Sequence, residues 1–147
     1  THVRRKDINL NVGIGEQQGE LDFYTFGPDS LWNTFSKEFA EKAANVLKRE
    51  YVTRKVPVLP LKSVLEKNLP KGKHIDFFTI DTEGLDVTIL RSNDWKKYRP
   101  DFVLIEIHTQ GHNETIADCA ATRFLKDVGY EYAGQCLLTA LYRKVKA

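Results

Sequence analysis

The amino-acid sequence predicts an α/β domain built around a parallel sheet. Two nearly continuous apolar stretches, IDFFTI (residues 75–80) and DFVLIEI (residues 101–107), are separated by a helical pattern over residues 85–95. Strands this apolar are typical of a parallel sheet that is covered on both faces, and a strand-helix-strand order is the unit that builds such a sheet. A chain of 147 residues holds one core of ordinary size, so we predict a single domain over residues 1–147.

The segments that precede this unit alternate between strand and helix patterns. Residues 8–14 and 21–26 are apolar at every second position and predict two strands joined by a turn. Apolar residues recur at helical spacing over residues 33–51 and predict an amphipathic helix. The prolines in VPVLP favour an extended segment over residues 56–60. A short helix follows in LKSVLEKN and ends before Pro70.

The end of the chain predicts one more helix and a closing pair of strands. Apolar residues with helical spacing extend over residues 116–128, and Gly129 is a typical C-terminal stop. Residues 130–145 alternate enough to form the strand pair.

Composition and charge indicate a globular protein of the soluble type. Hydrophobic residues make up 41% and charged residues 29% of the chain, and no apolar run approaches the roughly 20 residues of a membrane helix. The net charge is +2 with basic residues scattered, so we predict neither a nucleic-acid nor a membrane partner. Cys119 and Cys136 form no CxxC motif and follow no secretion signal, which favours reduced, buried thiols and a cytoplasmic location.

Four polar side chains follow the two apolar strands: Asp81, Glu83, Glu106 and His108. Ligands of open parallel sheets bind beyond the carboxyl ends of the strands, so these side chains predict a functional site. They suit a general base, the ligands of a divalent cation, or hydrogen-bond acceptors for a hydroxyl or amino group, and the spacing does not choose among these. The alternative for Asp81 and Glu83 is structural, because acids before a helix are often caps. Gly84 allows a tight exit into that helix.

A glycine-rich stretch, GIGEQQG at residues 13–19, resembles a nucleotide-binding loop only superficially. Such a loop follows a strand and opens a helix, whereas these glycines run into the strand pattern LDFYTF. A hairpin turn is therefore the better interpretation. The chain also contains no Met and begins on a strand-like pattern, which predicts that Thr1 is the cut edge of a longer protein.

Five blocks resemble, in order, the later part of the FkbM family of S-adenosylmethionine-dependent methyltransferases. They are NVGIGEQQGELDFYTF, LWNTFSKEFAEK, VPVLPLKSVLEK, IDFFTIDTEGLDVTILRSNDWKKYRPDFVLIEIH and FLKDVGYEYAG. The most specific element is ID-x3-IDTEG-x5-L, followed by Arg-Pro and a strand that ends in Glu. The tail CLLTALYRKV lacks the Asn expected near the last hairpin, which puts the details of an acceptor pocket in doubt.

The resemblance implies a three-layer, Rossmann-like class I methyltransferase fold with a mostly parallel sheet and a C-terminal antiparallel hairpin, here without its N-terminal strands. It implies S-adenosylmethionine as cofactor and places the adenine edge at Asn11, Val12 and Gly13. Asp81 and Glu83 match the family's acidic pair after the fourth strand, and Glu106 matches the acid after the fifth.

This resemblance implies methyl transfer to a hydroxyl of a small molecule or saccharide. We predict that Asp81 or Glu83 positions or deprotonates the acceptor and that Glu106 and His108 shape the pocket. No residue is assigned as a metal ligand, and the sequence leaves metal dependence open. A homo-oligomer or an additional N-terminal segment would complete the protein.

Two alternatives belong to other classes. FFTIDTEGLD also looks like the first strand of DEDD-type 3′-5′ exonucleases, which hold two metal ions on carboxylates. Against it, His112 and Asp118 are one position too far apart for the usual closing His-x4-Asp motif. The second alternative is a non-catalytic or partner-dependent half-domain. In that case this chain alone is inactive because the family's glycine-rich cofactor loop is absent from it, and a partner covers its exposed sheet edge.

Overall fold

The computed structural model describes residues 7–82, 84–107 and 115–145. Within these residues seven strands form two mixed β-sheets, and four α-helices connect the strands. The elements in chain order are β1 (Gly13–Ile14), β2 (Gly19–Thr25), α1 (Lys37–Leu47), β3 (Val52–Leu59), α2 (Leu61–Asn68), β4 (Phe77–Ile80), α3 (Asp86–Arg91), β5 (Phe102–Glu106), α4 (Ala120–Asp127), β6 (Tyr130–Cys136) and β7 (Thr139–Lys144). A single 3-10 turn, Ile116–Asp118, precedes α4.

The predicted strand-helix-strand unit is confirmed, because β4 and β5 pair in parallel and α3 connects them. The sheet around this pair has the order β4-β5-β7-β6, in which β7 is antiparallel to both β5 and β6. Among the described strands the sheets are therefore mixed rather than mostly parallel. The reason is that the closing hairpin inserts β7 directly against β5.

The first sheet has the order β1-β3-β2, which corrects the expected hairpin between β1 and β2. β3 lies between them, parallel to β1 and antiparallel to β2. β3 pairs with all seven residues of β2 along one edge, and the carboxyl end of its other edge pairs with β1. Gly13 permits this close approach, because a Cβ atom there would lie 2.8 Å from Val58 Cγ1 and 2.9 Å from Phe35 Cζ.

The helices occur where the sequence predicts them, but α1, α3 and α4 are shorter than predicted. Ser36 caps α1 by accepting a hydrogen bond from the Phe39 amide at 3.2 Å, and Lys48 ends it in the left-handed region at φ 51°. α3 ends at Arg91, and the hydroxyl of its C-cap residue Ser92 donates to the Ile89 carbonyl at 2.8 Å. None of the helices in the described ranges is both long and apolar enough to cross a membrane.

The main core lies beside the second sheet. Its largest fully buried side chains belong to Leu90, Val103, Ile105, Leu125, Tyr130 and Tyr142. Trp95 joins the elements around this core: its ring meets those of Phe78, Phe124 and Tyr130 at centroid distances of 6.4, 6.1 and 5.4 Å. Its indole N–H donates to the Leu90 carbonyl at 2.7 Å.

The expectation that β4 and β5 are buried on both faces is wrong. Phe77 and Phe102 are register partners on one face, and their side chains are 60% and 40% exposed. The other face carries Ile80 and Ile105, which are buried. One face of the β4–β5 pair is therefore covered and the other is partly exposed.

The two cysteines are both free thiols but differ in exposure. Cys119 is buried and caps α4, as the prediction of buried thiols requires. Cys136 is exposed, which contradicts that prediction, because it is the last residue of β6 before the turn into β7.

The Arg-Pro pair before β5 has a structural role. Arg99 Nη2 donates to the carbonyls of Val128 and Gly129 at 3.3 and 3.4 Å, and the Tyr130 hydroxyl donates to the Pro100 carbonyl at 2.7 Å. Gly129 is confirmed as the stop of α4, with φ at 86°. These contacts fasten the end of α4 to the loop that enters β5.

Asp101, which directly precedes β5, interacts with His74 before β4 and with Lys144 at the end of β7. His74 Nε2 lies 2.8 Å from Asp101 Oδ2, and Lys144 Nζ lies 3.2 Å from Asp101 Oδ1. The hydrogen bonds from His74 and then from Lys144 lower the pKa of the Asp101 carboxyl below its ordinary value of 3.8. A carboxyl whose pKa is lowered by folding stabilises the fold above its unfolded pKa, and this contribution disappears as the pH falls through the folded pKa.

We therefore expect Asp101→Asn to be less stable than the wild-type protein at about pH 5 and the difference to shrink towards about pH 2.5. The effect is small because both partners are exposed to solvent, with side-chain exposures of 56% for His74 and 44% for Asp101. Midpoints of thermal unfolding, followed by circular dichroism across this pH range, provide the measurement. Asp29→Asn, at a residue with no described partner, is the control and should follow the wild type. A stability difference that does not depend on pH would contradict the assignment.

Candidate functional site

Asp81 and Glu106 lie next to each other at the carboxyl edge of the parallel pair. Ile80 and Ile105 are register partners, Asp81 follows Ile80 directly, and Glu106 is the last residue of β5. Adjacent strands are about 4.8 Å apart, so the two acidic residues occupy neighbouring positions. Asp81 is exposed and Glu106 is half-buried. The structure thus places these two residues on one edge, as predicted.

Glu83 and His108, the other two predicted members of the site, lie outside the described residues. Their place at this edge stays a prediction from the sequence.

The turn between β4 and α3 is held by an acid that the sequence analysis did not single out. Asp86 Oδ1 accepts hydrogen bonds from the Thr82 amide at 3.2 Å and from the Thr82 hydroxyl at 2.9 Å. Asp86 is only 9% exposed. The sequence offered one sign of this role, because Asp86 is an acid in the first turn of a helix that follows an acidic loop.

The structural alternative for Asp81, a helix cap, is not supported. The N-cap of α3 is Leu85, which makes no side-chain capping hydrogen bond. Within the described ranges, the Asp81 side chain has no hydrogen-bond or ion-pair partner. Gly84 has φ at 101°, a conformation that L-residues with a Cβ atom rarely adopt, so the expected tight exit is confirmed.

A cavity of about 350 Å³ lies beside β4 and reaches this edge. Its apolar wall consists of Ile14, Leu61, Phe77, Phe78, Ile80 and Ile89. Asp81 and Thr82 line it as well and supply carboxylate and hydroxyl oxygens. Such a site can hold an apolar group while the carboxylate accepts a hydrogen bond or a proton from a hydroxyl group.

The N-terminal segment predicted to bind the cofactor approaches the same cavity through Ile14, which directly follows Gly13. Asn11 is exposed, Val12 is half-buried and Gly13 is buried. Packing against Val58 and Phe35 explains why position 13 is a glycine. Asn11 and Val12 therefore remain the members of this group whose side chains are available to a ligand.

Tyr142, the largest buried polar side chain near β5, does not belong to the site. Its hydroxyl lies 2.5 Å from Thr122 Oγ1, and it pairs with Val103 in the middle of the sheet. Burial raises the pKa of Tyr142 to about 12, so the phenol stays neutral at physiological pH. Its role is to satisfy a buried hydrogen-bond network.

A metal centre receives no support from the parts of the chain that the structure describes. No group of three or more His, Cys, Asp and Glu residues in those parts could hold a metal ion.

Comparison with known families gives one match. The sequence model described as "Methyltransferase FkbM domain" matches residues 1–132 of the 147. No curated protein and no solved structure gives a match.

Proposed function

Since the chain belongs to the FkbM methyltransferase family, we propose that it transfers a methyl group from S-adenosylmethionine to a hydroxyl oxygen of a small molecule or saccharide. The observation that carries this proposal is the exposed carboxylate of Asp81. It lies at the carboxyl end of a parallel strand, beside Glu106 and at the rim of an apolar cavity. Ligands of α/β sheets bind at this kind of edge.

The finer fold assignment is part of the proposal. We assign the chain to the three-layer, Rossmann-like class of methyltransferases. The order β4-β5-β7-β6 supports it, since a parallel strand-helix-strand unit is followed by an antiparallel hairpin that places β7 beside β5.

The residues around the cavity suit S-adenosylmethionine. Apolar walls that include Phe77, Phe78 and Ile14 fit the flat purine ring, and the hydroxyl oxygen of Thr82 can accept a hydrogen bond from a hydroxyl or amino group of the cofactor. Asn11 and Val12 would border the adenine edge. The cofactor, when bound, supplies an electrophilic methyl group on a sulfonium centre.

The chain's own residues then have two tasks, alignment and proton removal. Methyl transfer is an in-line displacement, so the acceptor oxygen must be held in one orientation. Asp81 accepts the proton of the acceptor hydroxyl, and the apolar wall of the cavity excludes water from the reacting groups. Glu106 lies beside Asp81 and shapes the acceptor side, together with the predicted contributions of Glu83 and His108.

The test is a binding and transfer experiment with the 147-residue chain. S-adenosylmethionine is titrated into the protein by calorimetry, and methyl-labelled S-adenosylmethionine is incubated with a panel of sugars, phenols and aliphatic alcohols. We expect saturable binding and label transfer to at least one hydroxyl acceptor, with S-adenosylhomocysteine as the second product. A chain that binds no cofactor and labels no acceptor would contradict the proposal. Hydrolysis of single-stranded DNA that requires Mg²⁺ or Mn²⁺ would instead favour the exonuclease alternative.

The non-catalytic alternative has one observation in its favour. Phe77 on the edge strand β4 and its register partner Phe102 on β5 form an exposed apolar pair, and surfaces of this kind are commonly covered by a partner. Sedimentation velocity across a range of protein concentrations tests self-association. Association that Phe77→Ser abolishes, in a chain that binds no S-adenosylmethionine, would favour a partner-covered domain over an enzyme.

A further inference from the structure

Asp86 combines burial with two side-chain hydrogen bonds at the turn between β4 and α3. It is the first residue of α3, it is 9% exposed, and its Oδ1 atom accepts both hydrogen bonds from Thr82. Burying a carboxylate costs free energy unless hydrogen bonds and favourable charges compensate. Here the compensation comes from Thr82 and from the amino end of the helix.

These hydrogen bonds determine the path of the chain directly after Asp81. They connect residue 86 back to residue 82 and close a short ring that contains Gly84, whose φ of 101° turns the backbone towards α3. On its other side, Asp81 is attached to β4, which is held by its ladder to β5. Asp81 therefore lies between two fixed points, the strand and the Thr82–Asp86 pair.

The position of Asp81 depends on these fixed points because its side chain has no partner among the described residues. We propose that Asp86 is a positioning residue, which holds the Asp81 carboxylate at the cavity rim through its hydrogen bonds to Thr82. The proposal rests on the proposed function. Asp86 lines no part of the described cavity and acts on the reaction only through the turn.

The kinetic test compares two substitutions of Asp86 with S-adenosylmethionine as donor and the labelled hydroxyl acceptor as substrate. Asp86→Ala removes the acceptor of both hydrogen bonds, and we expect kcat to fall about tenfold while the KM for S-adenosylmethionine stays within about threefold. Asp86→Asn keeps an oxygen at the same place, and we expect it to restore at least about a third of kcat. An Asp86→Asn protein as slow as Asp86→Ala would overturn the role of the hydrogen bonds.

Two matched variants separate positioning from loss of stability. Ser36→Ala removes the cap of α1, away from the cavity, and should lower the unfolding midpoint without lowering kcat. Thr82→Val removes the hydroxyl donor but keeps the amide, so we expect a kcat between those of Asp86→Ala and the wild type. If folded Asp86→Ala has the kcat of the wild type, the proposal is wrong.

A second measurement needs no activity and distinguishes this proposal from the proposed function. Amide hydrogen exchange of Thr82, followed by nuclear magnetic resonance in the folded protein, should be at least about tenfold faster in Asp86→Ala than in the wild type. Ser36→Ala should leave the exchange rate of this amide unchanged. An inactive wild-type protein would contradict the proposed function, whereas an unchanged exchange rate of Thr82 in Asp86→Ala would overturn the role of Asp86.

Discussion

Asp81→Asn is expected to lower the turnover number of methyl transfer by about 100-fold or more, because general base catalysis contributes about 10²- to 10⁴-fold. The amide of Asn has nearly the size of the carboxylate but does not accept a proton at neutral pH. The affinity for S-adenosylmethionine should stay within about threefold, because the apolar walls of the cavity are unchanged. Single-turnover kinetics with labelled cofactor, together with calorimetric titration, measure both quantities.

Asp76→Asn provides the matched control, since Asp76 precedes β4 at the opposite end of the same strand. Asp76 is exposed and does not itself line the cavity, and the whole of β4 separates it from Asp81, so the same change of charge is made at the other end of the strand. We expect its turnover number to equal that of the wild type. Equal turnover numbers for Asp81→Asn and Asp76→Asn would remove Asp81 from the mechanism.

Trp95→Ala should destabilise the domain by about 3 to 5 kcal/mol, the range found when a buried aromatic side chain is truncated. The side chain is 9% exposed and its ring touches three other aromatic rings around the main core. The substitution also leaves the Leu90 carbonyl without its indole donor. This loss is a large part of the whole stability of a typical domain. Urea unfolding followed by circular dichroism gives the free energy of unfolding.

Trp32→Ala is the control for this prediction, because Trp32 is 37% exposed and, among the described aromatic residues, its ring stacks on that of Phe39 only, with centroids 6.0 Å apart. Its truncation should cost about 1 kcal/mol. If both tryptophan substitutions cost the same, Trp95 does not organise the core as described.

The candidate site could be predicted only in part from the sequence. The DTEG motif after an apolar strand, and the Glu at the end of the next one, were enough to place Asp81 and Glu106 on one edge, because parallel neighbours end on the same side of a sheet. Asp86 escaped notice, because an acid in the first turn of a helix is ordinary. Its burial and its hydrogen bonds to Thr82 exist only after the turn has formed.

The sequence by itself determined the kinds of elements, the parallel β4–β5 pair and the family, because periodicity, turn residues and local motifs are properties of short segments. The tertiary structure alone decided which strands are neighbours. β3 separates β1 from β2, and β7 lies antiparallel to β5, since pairing between distant segments depends on strand length and on competition for the same edge. It also decided that Phe77 and Phe102 remain exposed, because an apolar side chain is buried only if another element covers its face.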